Sequence, residues 1–362
     1  MARMPNSINY SLKMAHNTSG LQRWLENIWY NDSPAKYLLL PLSALYCGVN
    51  AWQRWWQSRS QHHSQPRFPC AVIVVGNITV GGTGKTPLTI YLTEILQEAG
   101  YRPAIITRGY GGKAIQQLQA VTPRSDPAEV GDEAVLIAST TGVPVYAGAN
   151  RLESINTCLK NHNCNIIISD DGMQHYKMPR DIQIAVIDGE RQLGNRLCLP
   201  AGPLREPARR LKQCHFIVVN GNEKKQNLPG AFKMTIQGNE LINLKTAEKR
   251  KLDDFQGKTV HVVSGIGNPQ RFYNSLQRKG LKLIKHSFPD HYQFKPDDLQ
   301  FKPKAAIIMT QKDAVKCHPF APENSWYLPI KARLDNDFAT QLIKLLGACL
   351  RTGIETKISE LL

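Results

Sequence analysis

Lys85 and Thr86, preceded by glycines at 81, 82 and 84, are residue types that can hold a polyphosphate. Glycines let backbone N–H groups turn inward around phosphate oxygens, a lysine reaches the β- and γ-phosphates, and a threonine hydroxyl ligates Mg²⁺. The segment Thr79, Val80, Gly81, Gly82, Thr83, Gly84, Lys85, Thr86 follows an apolar β-branched run, Ala71-Val-Ile-Val-Val75. It precedes Pro87, a residue suited to a helix's first turn. Strand, glycine-rich turn and helix form the context a phosphate-binding loop requires, since the helix N-terminus adds the positive end of its dipole. One position departs from the G-x-x-x-x-G-K-[ST] pattern: Thr79 stands where the first glycine is expected.

These residues need a scaffold, and the patterning of the chain supplies one. A helix is predicted over 88–99, then a strand over 103–107 that delivers Arg108-Gly-Tyr-Gly-Gly112. Val130-Gly-Asp-Glu133 opens a helix over 134–139, followed by a strand at 143–147 and a helix starting at Arg151. Asn165-Ile-Ile-Ile-Ser-Asp-Asp171 is a second chemical signal, because an apolar strand ending in carboxylates is how phosphate-loop proteins set an acid beside Mg²⁺. Gly172-Met-Gln-His175 follows as a turn, and strands are predicted at 182–188 and 216–220. Between them runs Leu199-Pro-Ala-Gly-Pro-Leu-Arg-Glu-Pro207, a rigid loop ending in a cation–anion pair.

The alternation predicts an α/β fold of the P-loop NTPase type, a mainly parallel sheet with helices on both faces. Its ligands are expected beyond the carboxyl ends of the strands. The expected organisation is a docking segment at 1–67, a nucleotide-binding domain at 68–244, a polar linker at 245–257 and a smaller α/β domain at 258–362. Strands at 259–263, 281–286 and 305–309 and helices at 269–279 and 335–350 make up the last of these.

The formal net charge of +16 asks for an acidic partner: nucleic acid, an anionic membrane face or a phosphorylated substrate. The 8 cysteines are scattered without a C-x-x-C pair, which fits reduced thiols in a cytosolic compartment and no metal site. Residues 1–20 carry no signal-peptide pattern and are expected to be poorly ordered. Five of the 6 tryptophans then fall at 24, 29, 52, 55 and 56, around an uncharged stretch at 37–52. That stretch is short of the roughly 20 apolar residues a membrane span needs. Trp clustering followed by Arg54, Arg59 and Arg67 favours a helical segment lying in or dipping into one leaflet over a buried core helix.

Seven spaced motifs together resemble the tetraacyldisaccharide 4'-kinase family. They are Val75-Gly-Asn77 with Thr79-Val-Gly-Gly-Thr-Gly-Lys-Thr-Pro87, Arg108-Gly-Tyr-Gly111, Val130-Gly-Asp-Glu133, Asp170-Asp-Gly-Met-Gln-His175, Pro200-Ala-Gly-Pro-Leu-Arg-Glu-Pro207, Asp290-His-Tyr292 and Thr310-Gln-Lys-Asp-Ala-Val-Lys316. In that family Thr79 is the ordinary form of the loop. Met173 stands for the usual Phe, and Gln311 for the usual Glu, which removes any acidic role there. The resemblance implies transfer of the ATP γ-phosphoryl group to the 4'-hydroxyl of an acylated glucosamine disaccharide 1-phosphate, forming lipid IVA in lipid A synthesis. It also implies ATP and Mg²⁺, and a protein on the cytosolic face of a bacterial inner membrane, monotopic or singly anchored, whose smaller domain closes over ATP. No nucleic acid and no obligate protein partner are expected.

Lys85 is assigned to the β/γ-phosphates, Thr86 to Mg²⁺, and Asp170 or Asp171 to the metal. The family assigns the base to Asp132 acting with His291; residue type alone favours a helix N-cap for Asp132 and a surface or satisfied histidine for His291, and only the resemblance reverses that. Glu133, Gln174 and Glu206 are further site candidates, and Arg108 and Arg205 candidate phosphate contacts, with His175 equally a packing residue.

Two other classes compete. Partition-type and metal-insertion ATPases carry a lysine just before the paired glycines, where this chain has Val80, and the Asn-Lys-x-Asp guanine motif is absent. A nucleic-acid-binding module would suit the charge, but no zinc spacing, RNA-binding aromatic motif or dense basic block accompanies it.

Overall fold

The computed structural model describes residues 20–31, 33–59, 68–112, 117–221 and 228–361. Arg67 and the first 19 residues lie outside that set, as do the side chains of Arg59 and of 351–362. The chain divides into two compact units: the larger comprises Trp24–Asn239 and Pro329–Leu362, and the smaller is built on Glu240–Leu328.

The larger unit opens within α1 (Gly20–Tyr30), at Trp24, and continues through α2 (Ala35–Arg59), β1 (Ala71–Gly76) and α3 (Lys85–Glu98). There follow β2 (Pro103–Thr107), β3 (Gln119–Val121), the short α4 (Pro127–Val130), α5 (Asp132–Thr141), β4 (Val145–Ala147), α6 (Arg151–Asn161), β5 (Ile166–Ser169), β6 (Ile182–Asp188), β7 (Phe216–Asn220) and β8 (Phe232–Gln237). β8, β7, β6, β1, β5, β2 and β4 lie side by side and parallel, with β3 antiparallel at one edge. β1 and β5 are buried along their whole length, which is why both read as unbroken apolar runs. Val72, Val74, Ile106, Ile167 and Ile187 join in one core cluster.

The smaller unit contains β9 (Glu240–Asn243), β10 (Lys249–Lys251), β11 (Thr259–Ser264), α7 (Pro269–Arg278), β12 (Lys282–Ser287), β13 (Ile307–Thr310), α8 (Gln311–Cys317) and β14 (Ser325–Leu328). Its sheet runs β10-β9-β14-β13-β11-β12, parallel across β14 to β12. Val262 and Ile308 pack in one of its cores, Val263 and Met309 in another, as strand alternation requires. The chain then returns to the larger unit as β15 (Lys331–Leu334), antiparallel to β8, and α9 (Asn336–Leu361).

The boundaries therefore fall elsewhere than composition suggests. The stretch at 245–257 is no linker: Lys249-Arg250-Lys251 pairs with β9 as an exposed edge strand. Charge on an edge guards it against pairing with other chains, and in sequence it reads as a solvated connector. The final helix belongs with the larger unit, where Phe338 packs edge-on against Phe216 and Phe232 at 5.3 Å. Among the described residues, no helix is long and apolar enough to cross a membrane.

Candidate active site

Chain direction brings the chemistry together. β1 and β5 are parallel neighbours, so the loop leaving β1 and the carboxylates ending β5 emerge at the same edge of the sheet. Lys85 Nζ lies 3.5 Å from Asp171 Oδ1, and Arg205 Nη1 lies 4.0 Å from Asp171 Oδ2. Asp171 holds a left-handed φ of 51°, which is costly for a residue with a side chain and directs attention to function.

Gly84 is the N-cap of α3 at φ 97°. A Cβ there would meet Asn220 Nδ2 at 2.4 Å, so only glycine fits. Asn220, buried at the end of β7, donates through that amide to Thr83 O at 3.0 Å and braces the loop from below. Asn77 braces it from within: its Nδ2 donates to Gly81 O at 3.4 Å, and its Oδ1 accepts from Lys85 Nζ at 3.5 Å. Thr79 pairs in a β-bridge with Leu204, an extended conformation open to any residue, and this accounts for the missing glycine.

Asp170 is 1 % exposed and accepts a 3.1 Å hydrogen bond from Thr89, one turn into α3 from Thr86. Burial first, then the neighbouring Glu133, push its carboxyl up to about 7, with Lys85 opposing. An acid held at that cost calls for a cation. Thr86 and Thr89 are three apart on α3 and so share a face of the helix. Asp171 Oδ1 is buried and, beyond its ion pair with Lys85, has no hydrogen-bond partner. Among the described residues, no three His, Cys, Asp or Glu side chains are set to cage a metal. Mg²⁺ needs no such cage, because one or two carboxylates with nucleotide oxygens and water suffice, and these residues fit it.

Asp132 is buried at the first position of α5, whose N-cap is Gly131 rather than an acid. Gly131 has φ 92°, and a Cβ on it would lie 2.8 Å from Tyr110 O, so the Arg108-Gly-Tyr-Gly turn packs directly against the start of α5. Arg151 is buried at the start of α6, donating to Gly148 O at 2.6 Å and to Asp170 O at 3.5 Å. Burial lowers it to about 10, the acids Asp170 and Asp171 opposing. His175 is pushed down to about 4, chiefly by burial and then by Arg151 and Arg108. Glu206 is buried and accepts from Gln174 Nε2 at 3.0 Å and Tyr176 Oη at 2.5 Å.

His291 belongs to the smaller unit. It holds φ 60°, and its Nε2 lies 3.4 Å from Lys312 Nζ, which donates to Asp290 Oδ1 at 3.2 Å. Met173 is fully buried, and a Cβ on Gly76 would meet it, so it is a packing residue under β1. Gln311 is the first residue of α8, after the Thr310 cap. Sequence reasoning missed Asn77, Arg151 and Asn220 as site residues. For Asn77 and Asn220 the available signal was a polar residue ending an apolar strand, and for Arg151 a cation opening the helix after β4.

A nucleotide loop at the carboxyl edge of a parallel sheet, with acids one strand away, places the chain among the P-loop nucleotide-dependent enzymes. Residues 35–347 match the family model described as tetraacyldisaccharide-1-P 4'-kinase. The tetraacyldisaccharide 4'-kinase of Nitrosococcus oceani is 44% identical over 330 residues, covering 91% of this chain and 96% of the relative. That of Legionella pneumophila (strain Lens) is 44% identical over 316 residues, 87% of this chain and 95% of the relative. A solved structure, LpxK from Aquifex aeolicus in an "apo" form in complex with ATP, superposes with TM-score 0.74 at 29% identity, covering 87% of this chain and 99% of that one. The chain belongs to the tetraacyldisaccharide 4'-kinase family.

Proposed function

We propose that this protein transfers the γ-phosphoryl group of ATP to the 4'-hydroxyl of a tetraacylated glucosamine disaccharide 1-phosphate. The observation that carries the reading is the Lys85–Asp171 pair, which sets the loop's cation against the strand-end acids. Phosphoryl transfer passes through a loose transition state, so positioning and charge stabilisation supply most of the rate. Lys85 takes the β/γ-phosphates, and Arg108, Arg151 and Arg205 add positive charge at the same sheet edge. Thr86, Asp170 and Asp171 would hold Mg²⁺, which when bound neutralises phosphate charge. Asp132 takes the proton from the sugar hydroxyl as the new O–P bond forms and the O–P bond to the β-phosphate breaks, releasing ADP.

The acceptor's acyl chains sit in a bilayer, so the enzyme must reach one. Leu38, Leu42, Leu45, Val49, Trp52 and Trp56 recur at alternating spacings of three and four along α2 and are all exposed. This apolar stripe supports docking in one leaflet of the inner membrane at its cytosolic face, and the charge of +16 suits anionic headgroups.

The test is transfer of label from γ-labelled ATP to a lipid A precursor disaccharide in mixed micelles, with Lys85→Ala and Asp132→Ala as controls. Label should appear in the lipid with the parent protein alone. Rapid ATP hydrolysis with no labelled lipid would replace this reading with an ATPase. Replacing Leu45 and Trp52 by Ser should lower retention on anionic vesicles while leaving the melting temperature unchanged; full retention would remove the docking role of α2.

A further inference from the structure

The other face of α2 is polar and points inward. Ser43, Tyr46, Asn50 and Arg54 share one stripe, and each bonds to the loop at 198–206. Ser43 Oγ donates to Cys198 O at 2.7 Å, Tyr46 Oη to Arg205 O at 3.2 Å and Asn50 Nδ2 to Arg205 O at 3.3 Å. Arg54 Nη1 reaches Glu206 Oε2 at 3.4 Å, a pair whose side chains are 22% and 3% exposed. The same loop clasps the phosphate loop, since Val80 N–H donates to Pro203 O at 2.9 Å and Arg205 N–H to Ile78 O at 2.7 Å.

We infer that Arg54 and Glu206 are positioning residues that couple α2 to the phosphate loop through Gln174 and Asn77. Glu206 Oε2 takes Arg54, Arg210 and Tyr176, leaving Oε1 for Gln174. Gln174 spends its two amide hydrogens on Glu206 Oε1 and Asn77 O, both at 3.0 Å, and so is a rigid bridge. Asn77, fully buried, then meets Lys85 and Gly81 through its side chain. A second route runs beside the first: Tyr46 and Asn50 hold the Arg205 carbonyl, and the Arg205 guanidinium faces Asp171. Buried charges with several partners specify position more than they add stability, and small misplacements at a phosphoryl-transfer site are costly in rate. The helix that carries the exposed apolar stripe is thus wired to the lysine that holds the phosphates. The inference rests on the kinase reading above and does not require membrane docking.

The test uses the full chain and the labelled-ATP assay in micelles. Arg54→Met keeps the apolar stem and removes the charge. It should lower kcat/KM for ATP about 10-fold and Glu206→Gln more, with KM for the lipid unchanged, since a displaced catalytic group costs up to about 10²-fold. Arg54→Lys should recover most of the loss. Arg54→Met combined with Asn77→Ala should be no slower than Asn77→Ala alone, because both break one path. Tyr46→Phe, which keeps the ring packed, should show a smaller loss of the same kind. Multiplying effects in the double variant, or a change confined to KM for the lipid, would overturn the inference. Absence of label transfer by the parent protein would instead remove the kinase reading.

Discussion

Lys85 Nζ stands 3.5 Å from Asp171 Oδ1, so the cation of the phosphate loop faces an acid that follows the neighbouring strand. Lys85→Ala should cost about 10²-fold or more in kcat, the scale set by removing one preorganised charge partner of a transition state. Asp171→Asn frees the lysine but removes an acid from the metal's surroundings. It should therefore lower kcat without raising KM for ATP, in the same label-transfer assay.

Gly84 is confined by backbone and neighbour together, at φ 97° with Asn220 Nδ2 2.4 Å from any added Cβ. Gly84→Ala should destabilise the larger unit by about 1–2 kcal/mol from the left-handed backbone alone. ATP affinity should fall further, because the loop and Asn220 must part. Urea unfolding and nucleotide titration read the two effects separately.

Asp132 is buried at the first position of α5. Asp132→Asn should lower kcat about 10²–10⁴-fold, the range of general base catalysis, with ATP binding nearly intact. Label transfer and nucleotide titration read the two effects, and an unchanged kcat would remove Asp132 as the base.

His286 is held down to about 4, first by burial and then by His261, whose Nδ1 lies 3.0 Å from its Nε2. The unfolded chain takes up this proton near 6.5, the folded chain only near 4. Between those values the unfolded state binds more protons, so stability falls as pH drops from 6.5 towards 4. Melting curves at pH 7, 6 and 5 should show the fall, and His286→Gln should flatten it. His175 adds the same slope and Asp170, raised to about 7, the opposite one. Both remain in the variant, so the difference isolates His286.

The larger unit was legible where residues of one kind run together. β2, β6 and β7 have the limits that sequence assigns them, and β1 nearly so, because strands buried on both faces must be apolar throughout. β8, β9, β14 and β15 were not legible. They are short, half-exposed or at sheet edges, where residue choice is weakly constrained and pairing with a distant partner does the selecting. The run Lys249-Arg250-Lys251 shows the limit well, since the same charges suit a linker and a guarded edge.

By itself the sequence determined the phosphate loop, the acids after β5 and the family, since these depend on residue types at short, fixed spacings. Tertiary structure alone decided that Asn77, Arg151 and Asn220 serve the loop and its acids, that α9 returns to the larger sheet, and that Arg54 meets Glu206 across 152 positions. Such pairings follow from strand order and helix rotation, which bring together side chains whose own neighbours along the chain carry no trace of them.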